Sequence, residues 1–145
     1  MIKPTRSAAM VQAGESLPVL EKTFTAVDLM AYGAATWDWH RMHYDIDFAW
    51  AAMKLPNVVI DGQVFGALFA RAVVDWAGPQ AFVTRLSFKM KSMAFAGETL
   101  RMEGEVTQIR ASVVTVAQRL TSSRRLVSEA ETDVRLPAPA SAVSI

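Results

Sequence analysis

Asp38 and His43 stand five residues apart in the run Thr36-Trp37-Asp38-Trp39-His40-Arg41-Met42-His43-Tyr44-Asp45. A carboxylate and an imidazole this close can hold one water molecule, take a proton from it and hand a proton on. That is the equipment for adding water to a double bond or removing it. Taken singly, Asp38 reads equally as a helix-end carboxylate and His43 as a core histidine bonded to backbone. His40-x-x-His43 with Asp38 and Asp45 also has the residue types of a metal site. The acid–base reading explains the same residues with no metal.

Two helices must hold that run. Thr25-Ala26-Val27-Asp28 fits a capping box opening a helix over 29–35, and Asp45 or Asp47 can start another over 48–54. A third, longer helix over 64–77 has Asp61 as its N-cap and Gly78-Pro79 as its stop. Val64, Phe65, Leu68, Phe69, Ala72, Val73 and Trp76 cover most of its circumference. It is too short to span a bilayer and carries Arg71 and Asp75, so something must wrap it.

Past Phe82 the hydrophobic period changes to two. Four runs follow, broken at Ala96-Gly97-Glu98, Arg110-Ala111-Ser112 and Ser122-Ser123-Arg124. They read as a four-stranded antiparallel meander with short links. In the last run Val127, Glu129, Glu131, Asp133 and Arg135 share one face, opposite Leu126, Ala130, Val134 and Leu136. A short strand over 20–24 precedes the helices. Residues 1–16 and 137–145 read as poorly packed tails, leaving one domain over 17–136. The class is α+β, a sheet wrapped around a long helix in the hotdog manner.

Composition excludes several functions. Hydrophobic residues are 52% of the 145, which argues against disorder. A net charge of +1 argues against nucleic acid or an anionic membrane as the main partner. With no cysteine there is no disulfide, thiolate metal site or cysteine nucleophile. No continuous apolar run follows Lys3 and Arg6, so no signal peptide is expected and the cytoplasm is the expected compartment.

Asp38-x4-His43, His43-x-Asp45-x-x-Phe48-Ala49 and the Asp61-Gly62 turn opening an apolar helix together resemble the MaoC-like dehydratases, the (R)-specific enoyl-CoA hydratases of hotdog fold. The resemblance spans roughly residues 18–136. It departs at Trp37, where the family usually has glycine, at His40 for asparagine, at Arg41 for proline and at Asp61 for a common histidine. Val74-Asp75-Trp76-Ala77-Gly78-Pro79 is similar to the small subunit of heteromeric hydratases that act on steroid side-chain CoA esters.

The resemblance implies reversible hydration of a trans-2-enoyl-CoA, with Asp38 and His43 as the catalytic pair. Gly62 N–H would be the oxyanion donor, at the positive end of the long helix. His40 and Asp61 would contact the thioester or water. By residue type Trp37, Trp39, Trp50 and Phe65 are candidates to wall the acyl pocket, and read equally as ordinary core. By charge alone Arg85, Lys89, Lys91, Arg124 and Arg125 are candidates to meet the phosphates of coenzyme A, and each reads equally as part of a solvated face. The CoA thioester is substrate, and no cofactor is expected. A homodimer is expected, or a heterodimer with a related hotdog chain. Two other readings stay open: a hotdog thioesterase using Asp61 or Asp75, and a subunit that binds acyl-CoA without catalysis.

Overall fold

Side-chain caps decide where the helices begin. In the computed structural model, which describes residues 6–138, Thr25 and Asp28 form a reciprocal capping box at the start of α1 (Ala26–Thr36). Asp45 accepts from the Phe48 N–H at 2.9 Å and opens α2 (Ile46–Met53). That N–H, followed by the Arg41 guanidinium, holds the Asp45 carboxyl below its ordinary pKa. Asp61 accepts from the Gln63 N–H at 2.8 Å and opens α3 (Gly62–Ala77). Gly78 ends α3 at φ 99°, a conformation open to glycine.

Five antiparallel strands curl around α3: β1 (Leu20–Thr23), β2 (Phe82–Met90), β3 (Thr99–Arg110), β4 (Val113–Ser122) and β5 (Arg125–Arg135). Their order is β1-β3-β4-β5-β2. The expected four-strand meander is therefore corrected. β3, β4 and β5 form hairpins, but β2 lies at the far edge, pairing with β5 from Phe82↔Arg135 to Met90↔Ser128. The reason lies in residues 91–98, which form a crossing and not a turn. The Ile60 N–H donates to the Ala94 carbonyl at 2.8 Å, and the Ala96 N–H to the Val58 carbonyl at 3.0 Å. Arg125 holds the same crossing through Glu98 and the Met93 carbonyl.

The wrapping expected of α3 is present on every side but one. Gln63, Ala67, Arg71 and Asp75 form an open stripe, spaced four apart, while Phe65, Phe69, Val73 and Trp76 are buried. Val127 departs from its expected outer face. A bulge shifts the register between Leu120 and Thr121 and turns Val127 inward to 0% exposure.

Residues 6–16 are packed and not loose. Val11 is buried, the Gly14 N–H donates to the Val106 carbonyl at 2.8 Å, and Glu15 joins Arg6 to the Trp76 indole. Residues 1–5 and 139–145 of the expected tails lie outside the described residues.

One polar group crosses the core. Gln118, on β4, donates to the Phe69 carbonyl of α3 at 3.0 Å and accepts from the Thr132 hydroxyl at 2.7 Å. Gln118→Leu and Thr132→Val should each cost about 1–3 kcal/mol, because each leaves the other's polar group buried and unpaired. The double variant should cost less than the sum of the two. Urea unfolding of the three variants measures this.

Candidate active site

α1 delivers Asp38 by a sharp turn. Trp37 takes the left-handed conformation at φ 61°, and the Asp38 N–H donates to the Gly33 carbonyl at 3.0 Å. Gly33 allows that approach, since a Cβ there would lie 2.7 Å from the Asp38 carbonyl oxygen. One Asp38 carboxylate oxygen then accepts from the His40 N–H at 3.1 Å. The chain continues through a 3-10 turn, Arg41–His43, capped by His40, whose Nδ1 accepts from the Met42 N–H at 3.3 Å.

His43, 7% exposed, ends that turn. Its Nδ1 lies 2.7 Å from the Val59 carbonyl. A carbonyl only accepts, so Nδ1 carries the proton, and in the neutral ring Nε2 is the atom with the lone pair. Val59 is itself fixed, since its N–H donates to the Met42 carbonyl at 2.9 Å and the neighbouring Ile60 N–H to Ala94.

His43 and Asp38 face a cleft of about 570 Å³. Ile60 and Phe65 line it from the core side, Met90 from the end of β2, and Lys91, Ser92 and Met93 from the crossing. Asp61 and Gly62 complete it at the start of α3. One ligating atom each from Asp38, His43 and Asp61 lie within 4.8 Å of one another. The Gly62 N–H, at the first helical position, has no acceptor within its own helix. A Cβ on Gly62 would meet the Met90 thioether, the end of a flexible side chain that would have to move aside. Asp61 is 8% exposed, and its second oxygen, Oδ2, has no hydrogen-bond partner among the described residues. Burial, and then the charge of Asp61, raise the pKa of the nearby Tyr32 phenol.

Of the residues expected to form the site, Asp38, His43, Asp61, Gly62 and Phe65 meet at the cleft. Trp37 does not; it is 80% exposed because its left-handed backbone points the ring outward against Trp39. Trp39 and Trp50 are likewise exposed and outside the cleft lining. His40 is exposed too, and serves as a cap and through its backbone N–H. Arg85 and Lys89 lie on the outer face of the sheet. Arg85 is spent on Glu131 and Asp133, and Lys89 lines a separate groove beside Glu129. The basic side chain at the cleft is Lys91, paired with Glu129 at 2.6 Å. Sequence reasoning missed Gly33 and the Val59 carbonyl. A glycine inside a helical pattern signals the first, but a backbone acceptor has no residue signature.

A model of the MaoC like domain matches residues 10–125. The chain belongs to the MaoC-like family. Its relatives include the beta subunit of 3-oxo-4,17-pregnadiene-20-carboxyl-CoA hydratase from Mycobacterium tuberculosis. The two are 28% identical over 107 residues, covering 74% of this chain and 82% of that one. The MaoC-like fold is seen again in the ChsH1–ChsH2 complex from Mycobacterium tuberculosis, at TM-score 0.83 and 24% identity over 88% of this chain and 100% of that one. The (R)-hydratase from A. caviae involved in PHA biosynthesis matches at TM-score 0.81 and 26% identity, over 88% and 98% of the two chains. These are hotdog proteins, and the curled sheet around α3 is the hotdog fold. Trp37 explains one departure from the MaoC-like pattern: the usual glycine suits a left-handed backbone, which tryptophan adopts at a cost.

Two substitutions separate placement of Asp38 from strain at its neighbour. Gly33→Ala should push the Asp38 carbonyl away and lower turnover with a modest loss of stability. Trp37→Gly should relax the left-handed turn, leaving the protein as stable or up to about 1 kcal/mol more so. Thermal unfolding beside a turnover assay checks both.

Proposed function

We propose that this chain adds water to a trans-2-enoyl-CoA to give the 3-hydroxyacyl-CoA, and catalyses the reverse. The observation that supports it most is the His43 ring, held by the Val59 carbonyl with Nε2 free, beside Asp38 in a cleft with an apolar lining. Asp38 and His43 hold one water. Nε2 takes a proton as the water oxygen bonds to C3, and the C2–C3 π electrons move toward the thioester oxygen. The Gly62 N–H and the positive end of α3 stabilise the enolate charge there. The Asp38–His43 pair then returns the proton held on Nε2 to C2 from the same side, which completes the addition and restores both groups. Asp61 Oδ2 accepts from the hydroxyl formed at C3. The reaction takes coenzyme A as part of its substrate, needs no cofactor and fits a cytoplasmic enzyme.

The thioesterase reading is weaker. Asp75 sits in an exposed pair with Arg71 at 3.3 Å, and Asp61 shares its site with the pair already suited to hydration. Assembly follows from the sheet. β2 is an edge strand, and the cleft opens beside its exposed Met90 and the following Met93. A dimer with the acyl channel at or beside that edge covers both. The relative that is a beta subunit, and the two-chain ChsH1–ChsH2 complex, favour a related hotdog chain as the partner over a second copy.

Mass spectrometry of crotonyl-, octenoyl- and steroid-enoyl-CoA incubated with the protein tests the reaction. A gain of one water is expected with at least one of them. Asp38→Asn and His43→Gln should each lower turnover ~10²–10⁴-fold in folded protein. The double variant should be little worse than the worse single one, because the two act as a unit. Near-normal hydration in a single variant removes that residue from the mechanism. Sedimentation should show a dimer, and an inactive homodimer rescued by a co-expressed hotdog chain marks the heteromeric form. An active monomer overturns the shared channel.

A further inference from the structure

We propose that Asp38, His43 and Asp61 form a binding site for one first-row divalent cation, of the Mn²⁺ or Zn²⁺ class, at the position of the reacting water. All three are ligating groups, and their atoms lie within 4.8 Å of one another. Adjacent ligands around such an ion stand roughly 3 Å apart and opposite ones roughly 4.2 Å, given bonds of about 2.1 Å. Binding would draw the widest pair of these atoms from within 4.8 Å to about that spacing.

The independent observation is Asp61 Oδ2. It is buried and lacks a hydrogen-bond partner among the described residues, while Oδ1 is occupied by the Gln63 N–H and Asp61 lines the cleft. A buried carboxylate oxygen left unpaired is costly, and a cation relieves that cost directly. Protein cations nearby are engaged elsewhere: Arg41 pairs with Asp45 at 2.6 Å and Lys91 with Glu129 at 2.6 Å. With Nδ1–H committed to Val59, the neutral His43 ring has Nε2 left as its ligating atom, which is the second-sphere arrangement a metal-ligating imidazole uses. One nitrogen with two carboxylates suits Mn²⁺ or Zn²⁺ over Mg²⁺ and Ca²⁺, which prefer oxygen alone. The ion would occupy the lone pairs that hold water in the proposed hydration, so bound cation and water addition exclude each other. That consequence rests on the proposed function; the site does not.

The test is titration of the EDTA-stripped protein with Mn²⁺, read by the electron paramagnetic resonance of the free ion. Saturable binding of one Mn²⁺ per chain is expected, resistant to excess Mg²⁺. Asp61→Ser keeps an N-cap oxygen for Gln63 and removes Oδ2, so it should stay folded by circular dichroism and bind at least ~10-fold more weakly. Asp38→Asn should weaken binding likewise. Absence of saturable binding, or binding unchanged in both variants, overturns the site. Hydration by the stripped protein is measured alongside. Its absence would sink the proposed function and leave the Mn²⁺ titration to decide the site, whereas full hydration at full Mn²⁺ occupancy would overturn this placement of the ion.

Discussion

The hydrogen bond from His43 Nδ1–H to the Val59 carbonyl, at 2.7 Å, is the contact on which the site depends. It fixes the ring's orientation and its tautomer together, and so decides that Nε2 is the atom presented to the cleft. Val59 can serve because the segment around it is tied on both sides. The Met42 carbonyl takes its N–H, and Ile60 and Val58 bond to the crossing at Ala94 and Ala96. The crossing is in turn anchored to β5 by Arg125 and Glu98. The His43 imidazole is thus oriented by the connection that carries the chain from β2 at one edge of the sheet to β3 near the other.

Asp38 is placed by a different device. Its loop is pressed against Gly33 of α1, and its backbone and that of His40 form a short network in which the side chain accepts from the His40 N–H. Asp61 is placed by a third, as the cap of α3. The three groups come from separate elements, and only the closing of the sheet around α3 brings them to one cleft.

Much of this was legible in the sequence, and the limits have physical causes. The caps at Thr25, Asp45 and Asp61 and the glycine stop at Gly78 are local chemistry, and each was readable from neighbouring residues. So was the Asp38–His43 pair. Alternation placed Val127 with Glu129 on the outer face, but a single bulged residue reverses the facing of a side chain, and bulges leave little trace in composition. The β2-to-β3 crossing was read as a turn because Gly97 marks one end of it, while its pairing with residues 58–60 is a contact between distant segments. Arg85 and Lys89 were assigned to coenzyme A from charge alone. Their acidic neighbours come from the adjacent strand β5, and Arg85 with its cross-strand partners Asp133 and Glu131 is an ordinary sheet surface. Trp37 was placed in the pocket by its type, whereas its backbone sign turns it away.

The central claim is that Asp38 and His43 act on one water from one side of the bound acyl group. Hydration of crotonyl-CoA in deuterium oxide, with the product's C2–C3 coupling read by nuclear magnetic resonance, tests it most directly. The account predicts one deuterium at C2, on the same face as the new C3 hydroxyl. Deuterium on the opposite face, or distributed over both, would contradict it.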